Sequence, residues 1–296
     1  MGPGYDVFGL ALDVMYDTVE VLRLDRKAVK VKMAGAGAEA IPSTPELNSA
    51  GRTALEFLSR FGHGLEIKVT KGIPPGSGLG SSGASAAATA VAVNHLLNLE
   101  LDKRELTEIA AQGEIAAAGA PHADNVAPAI YGGFVVIQSY RPLEIHAFPP
   151  STELQFALAV PRSMKKTTRQ ARSVLPESVP LSKTISNLGA ASTVVAGFLL
   201  SNPFLIGKGM LGDEIVEPAR ARLYPGYLEA KKAAMESGAL GATLSGAGPT
   251  VIAIVNREKV RAAAVAKVMK EAFEAEGVEC DDYTSRPTAG AYVLHR

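Results

Sequence analysis

Cysteine is nearly absent. Cys280 is the only one in 296 residues, which excludes a disulfide framework and any cysteine-ligated zinc site and points to a reducing compartment, the cytoplasm. An excess of one charge sign is also missing: Lys plus Arg and Asp plus Glu each number 30. No overall field selects nucleic acid or an anionic membrane, so any anion site must be local and the expected partner is a small molecule. Long hydrophobic runs are lacking too. The stretch from Val194 to Leu200 falls far short of the roughly 20 residues that span a bilayer, and the first residues are glycine-rich rather than basic then apolar. Neither a transmembrane helix nor a signal peptide is expected. The histidines His63, His95, His122, His146 and His295 show no His-x-x-x-His spacing, so a histidine metal site is not expected. No repeat recurs at a period of 20 to 50 residues, which excludes a solenoid.

A chain of this length is ordinary for two domains. Residues 14–24 ("VMYDTVEVLRL"), 29–33 and 65–70 alternate apolar and polar residues and predict strands. An alanine-rich helix follows from residue 81. A second begins at Asp102, with Glu105 three positions on as a capping box, and ends near Gly119. "GGFVVIQ", "LEIHAF" and "LQFALAVP" predict three more strands, and Pro149-Pro150 marks the expected boundary between domains at 1–150 and 151–296. Beyond it come the basic segment "KKTTRQAR" and helices near 184–200, 204–210 and 226–237. Two strands around "LSGAGPT", a helix over 257–276 and strands at 278–284 and 289–294 complete the chain. Strands and helices mix without strict alternation, which predicts an α+β fold rather than a doubly wound sheet.

The stretch "GIPPGSGLGSSGAS" (72–85) fits two nucleotide-binding patterns and completes neither. Gly78, Gly80 and Gly83 give G-x-G-x-x-G, but the preceding strand ends near Thr70 and the acidic candidate Asp102 reads as a helix cap. The same glycines give a Walker A spacing with Ala84 where lysine is required. What stands is a stiff Pro74-Pro75 entrance, open glycine backbone, and Ser81-Ser82 at a helix start with unpaired N–H groups: an anion cradle built from backbone.

Three further constellations carry polar groups. Glu114 is surrounded one turn either way by Ala110, Ala111, Ala117 and Ala118, a poor setting for a charge unless a cation such as magnesium shares it. Asp124 and Asn125 follow in a loop and suit contact with a hydroxyl group, although a helix-face glutamate and a plain Asp-Asn turn would look the same. "GATLSGAGPT" (241–250) is either a tight hairpin or a second loop working with the first. Arg172 and Arg220 stand beside turn-forming prolines and offer guanidinium forks for a carboxylate or phosphate.

Taken in order, these segments resemble the GHMP kinase superfamily. Its phosphate loop has the form P-x-x-x-G-L-G-S-S-[AG]-[AS], matched by Pro74 to Ala84, and "GATLSGAGPT" matches its third motif. Within the superfamily, "GPGYDVFGLALD", "HADNVAPAIYGGF", "KTTRQAR" and "EPARARLYPG" look like the homoserine kinases rather than the sugar or mevalonate enzymes. The resemblance implies an α+β N-terminal lobe, a ferredoxin-like C-terminal lobe, ATP and Mg²⁺ between them, and phosphoryl transfer to the hydroxyl of L-homoserine in threonine biosynthesis. It also suggests a homodimer.

Carried over position by position, the resemblance implies that Pro74, Pro75, Gly76, Ser77, Gly78, Leu79, Gly80, Ser81 and Ser82 wrap the phosphates. Asn48 would lie near the nucleoside, with Ser82 and Glu114 on Mg²⁺. Asp6 would hold the substrate amino group, Arg172 and Arg220 its carboxylate and Asn125 its reacting end, with Thr168 close by. Asp124 matches the base of mevalonate kinases, although a loose phosphoryl transition state asks mainly for positioning and charge neutralisation. The family's first strand and its Ser-x-Asn turn are expected to be missing, because Met1 stands directly before Gly2-Pro3-Gly4. A shikimate- or mevalonate-type kinase, or a non-catalytic sensor on the same scaffold, are the alternatives.

Overall fold

The computed structural model describes residues 2–163 and 167–294. Lys165 and Lys166 of the basic segment, and His295, lie outside the described residues.

The first layer is a three-stranded sheet. Strands β2 (Thr18–Leu24) and β3 (Val29–Gly35) flank β4 (Gly64–Lys71), antiparallel and parallel respectively. Strict alternation in β4 turns Leu65, Ile67 and Val69 inward, against helices α1 (Ser49–Phe61) and α2 (Ser81–Leu97). The small side chains Ala86, Ala87 and Ala90 let α2 lie close on this sheet. Helix α3 (Lys103–Ala118) packs on both; it opens with the predicted Asp102–Glu105 capping box and ends at left-handed Gly119. A short strand, β1 (Phe8–Leu10), pairs with β5 (Phe134–Tyr140), which pairs in turn with β6 (Leu143–Phe148). The six-residue helix α4 (Val126–Tyr131) precedes β5.

The second half is built on β7 (Gln155–Pro161), β8 (Gly241–Leu244), β9 (Val251–Val255) and β10 (Cys280–Ser285), in the spatial order β10-β7-β9-β8, all antiparallel. Between β7 and β8 run α5 (Thr168–Ser173), α6 (Leu181–Leu199), α7 (Pro203–Met210), α8 (Val216–Ala221) and α9 (Tyr227–Glu236). Helix α10 (Ala262–Ala275) joins β9 to β10. The order 4-1-3-2 with helical crossovers is the ferredoxin-like arrangement expected from the resemblance. Ala157 and Ala159 face α9 and α10, whereas Phe156, Leu158 and Val160 face Val194, Phe198, Ile206 and Met210 of α6 and α7. Both faces are covered, which explains the unbroken apolar run of β7. Among the described residues no helix is long and apolar enough to cross a membrane.

Three local expectations are corrected. The strand expected from residue 14 begins at Thr18, just after Asp17, which turns inward to a buried partner. Residues 289–294 form no strand; Ala289 makes only a single bridge to Gly132. Helix α1 was absent from the pattern analysis, although Ala50, Ala54 and Phe57 mark its buried face at helical spacing and Asn48 caps it.

Candidate active site

A cleft of about 1510 Å³ collects much of the phosphate loop, Glu114, Asp124, Arg172 and the 245–248 turn on its walls. Helix α2 begins at Gly80 in a left-handed conformation, φ 69°, with no side-chain cap on its first N–H groups. The open end of this 17-residue helix faces the cleft with unpaired donors and a positive dipole, as a phosphate cradle requires. Ser77 and Pro74 stand off the cleft wall: Ser77 is buried, and its carbonyl accepts from Thr250 Oγ1 at 2.7 Å. The Ser81 hydroxyl is likewise spent within the loop, on Ile73 O at 2.7 Å.

The "GATLSGAGPT" segment joins the first loop. Gly78, φ 84°, lies so close to it that a Cβ there would come within 2.5 Å of Ser245 O and 2.7 Å of Gly248 O. Ser245 Oγ donates to Gly78 O at 2.9 Å. The segment closes the β8–β9 hairpin and its turn also buttresses the first loop from the other half of the chain, so it is hairpin and partner loop at once.

Ser82 Oγ donates to Glu114 Oε2 at 2.9 Å, while Glu114 Oε1 is buried with no hydrogen-bond partner. Burial pushes the Glu114 carboxyl up to about 7; the Ser82 hydroxyl opposes the shift and nearby Asp124 adds to it. A buried oxygen without a partner beside a hydroxyl is an acidic, oxygen-only donor set of the kind that suits a hard cation such as Mg²⁺. Asp124 is in a similar state. Its Oδ1 has no partner, and burial followed by repulsion from Asp6 raises its pKa to about 6 against the pull of Arg172. Asn125 donates from Nδ2 to Asp124 Oδ2 at 3.3 Å and packs on the loop, its Oδ1 lying 3.0 Å from where a Gly80 Cβ would stand.

At the other end of the cleft, Arg172 on α5 donates to both carboxylate oxygens of Asp6, at 3.0 and 2.6 Å. Its Nη2 also contacts His122 Nδ1 at 3.3 Å, and its Nε is buried without a partner. Thr168 opens α5 one turn before Arg172 and lines the cleft. Arg220 on α8 is buried; it donates from Nε to Ala171 O and from Nη1 to Gly246 O, both at 3.0 Å. Both guanidinium groups lie over the Tyr5 ring, at 5.0 and 4.9 Å from its centroid.

Asp6, His122 and Asp124 bring one ligand atom each within 4.8 Å of one another, a grouping with which the histidine spacing had not reckoned. The Arg172 guanidinium already bonds two of them and supplies positive charge there. Burial first, then Arg172, lowers the His122 pKa, against the pull of Asp6. Asn48 lines the cleft. Its amide is committed to Gly51 N at 3.1 Å and Pro42 O at 2.8 Å, so it shapes the cleft wall as the cap of α1 rather than presenting free donors. Tyr5 and His122 lie inside the quoted motifs, but only the structure gives them a place in the site.

The sequence matches the descriptions of the GHMP kinases N terminal domain over residues 48–133 and the GHMP kinases C terminal over 195–275. The chain is 40% identical over 295 residues to the homoserine kinase of Methanococcus vannielii, covering 99% of this chain and 94% of that one. The chain belongs to the GHMP kinase family. A second GHMP relative, the homoserine kinase of Haloquadratum walsbyi, is 41% identical over 294 residues, covering 99% of this chain and 96% of its own. The crystal structure of homoserine kinase from Cytophaga hutchinsonii superposes with a TM-score of 0.89 at 38% identity, covering 98% of this chain and 92% of that chain. Mevalonate kinase from L. major, at 16% identity and a TM-score of 0.69, shares the GHMP kinase fold.

Proposed function

We infer that the chain is an ATP-dependent homoserine kinase, an alcohol-acceptor phosphotransferase that converts L-homoserine to O-phospho-L-homoserine in threonine biosynthesis. One observation carries this reading. A single cleft holds an uncapped helix end, the Ser82–Glu114 pair, a carboxylate–guanidinium cluster, and Asp124 with Asn125. The full-length similarity to homoserine kinases supports the choice of amino acid.

The backbone of Gly76 to Ser82 cradles the ATP phosphates, and Ser82 with Glu114 would hold Mg²⁺. The ion would neutralise charge on the phosphates. Asp6 takes the ammonium of homoserine, while Arg172 and Arg220 take its carboxylate; the free substrate then replaces the internal Asp6–Arg172 pair with two pairs of its own. Asn125 and Thr168 orient the hydroxyl end. Asp124, with a pKa near 6, is ionised at neutral pH and able to accept the hydroxyl proton as the bond to phosphorus forms. The division near residue 150 separates the phosphate loop from the arginine helices, and a homodimer is the assembly that goes with this reading.

Release of ADP from ATP and Mg²⁺ across homoserine, shikimate and mevalonate tests it. Turnover confined to homoserine is expected. Preference for another acceptor would reassign the substrate, and no turnover with any would leave a ligand sensor.

A further inference from the structure

Beneath the phosphate loop lies a buried ion pair that the reaction as described does not use. Alternation in β4 points Lys71 to the same inward face as Leu65, Ile67 and Val69. The antiparallel register pairs Thr18 with Thr70, and one further step sets Asp17 opposite Lys71. Their side chains are 0% and 1% exposed, and they form a direct ion pair.

Both members of the pair reach past each other to the loop. Asp17 Oδ1 accepts from Gly72 N and Ile73 N, each at 3.0 Å, where the chain enters the loop. Lys71 Nζ donates to Ser81 O at 2.8 Å, where the chain leaves the loop as α2. Ser85 Oγ, one turn into α2, lies 2.8 Å from Lys71 Nζ and 2.7 Å from Asp17 Oδ2. The two ends of the loop are thus tied to one buried charge pair, which burial alone would disfavour.

We propose that Asp17, Lys71 and Ser85 are positioning residues that clamp both ends of the phosphate loop, performing from below the ordering role for which a Walker A loop uses its own lysine above. The clamp holds the first N–H groups of α2 and the Ser82 hydroxyl where the triphosphate must meet them; it touches neither the acceptor nor its arginines. Most of the geometric cost of gathering an anion cradle is then met before nucleotide arrives. This inference rests on the kinase reading above.

The test compares Asp17→Asn, Lys71→Met, the double variant and Ser85→Ala with the wild-type chain, by melting temperature, calorimetric ATP binding and steady-state kinetics. Each single charge variant leaves a buried charge unpaired and melts earlier, whereas the double variant recovers much of the loss. ATP binding is expected to weaken at least about tenfold in the double variant and about threefold to tenfold in Ser85→Ala, with the KM for homoserine changed by less than about twofold. A purely structural pair predicts something different: ATP affinity recovering along with melting temperature in the double variant, which would overturn the clamp. Wild-type ATP affinity in Ser85→Ala would overturn it as well. Should a single variant fail to fold, the double variant and Ser85→Ala still decide. If the wild-type chain itself binds no ATP, the kinase reading falls and takes the clamp with it; if wild type binds and the variants bind equally, only the clamp falls.

Discussion

Asp6 and Arg172, separated by 166 positions, bind each other through two hydrogen bonds inside the cleft. Each is the chemical complement of one end of an amino acid, and under the proposed function this internal pair satisfies both charges until homoserine exchanges it for two new pairs.

Arg172→Ala therefore raises the KM for homoserine at least about tenfold, the usual scale for a charge-assisted pair, while the KM for ATP stays near wild type. Asp6→Asn behaves alike. Steady-state kinetics with each substrate varied in turn checks both; an equal rise in the ATP KM would place Arg172 elsewhere in the reaction.

Tyr5 supports both guanidinium groups through its ring, so the ring matters and the hydroxyl does not. Tyr5→Phe keeps homoserine binding, whereas Tyr5→Leu weakens it about threefold to tenfold, the scale of one or two partly buried cation–π contacts. Comparable KM values for the two variants would contradict this role.

Glu114 is costly to the fold, and under the proposed function it holds Mg²⁺. Above neutral pH it is a buried carboxylate with one oxygen unpaired. Glu114→Gln is expected to raise the melting temperature of the nucleotide-free protein at pH 8 while lowering kcat by about two orders of magnitude, through weaker Mg²⁺ retention. Thermal melts and a magnesium titration of activity measure the two effects.

Asp124 links pH to stability. Its folded pKa of about 6 stands above the ordinary value of 3.8, so the folded state binds this proton more tightly than the unfolded chain does. The stabilisation is complete below about pH 4 and is lost as pH rises through 6, amounting to roughly 2–3 kcal/mol by pH 8. Asp124→Asn flattens that part of the melting profile between pH 4 and 8. If Asp124 accepts the hydroxyl proton, the same variant lowers kcat with little change in either KM; wild-type turnover would remove it from the mechanism.

Local pattern was enough to place most elements. The Asp102–Glu105 box and Gly119 bound α3 because capping is decided within one turn. Alternation located β2, β3 and β4, and apolar runs located β5 and β7, because a half-buried or fully buried strand needs no distant residue to announce itself. Helix α1 was equally legible, through Asn48, Ala50, Ala54 and Phe57, and was overlooked. The Pro74 to Ala84 loop read by itself as an anion cradle, and the kinase chemistry followed from the resemblance of the ordered motifs to the GHMP family, because Glu114 and the Asp124-Asn125 turn taken singly fit a plain helix face and turn equally well.

Tertiary structure alone decided how those residues meet. The contact of Gly78 with Ser245 and Gly248 spans about half the chain and depends on the β8–β9 turn being brought against the phosphate loop. The capture of Asp6 by Arg172, and of both arginines by Tyr5, depends on the placement of short helices that local sequence does not orient. Lys71 marks the border between the two kinds of knowledge. Its inward parity was written in the alternation of "LEIKVTK", but only the strand register brought Asp17 opposite it, and only that partner makes a buried lysine tolerable.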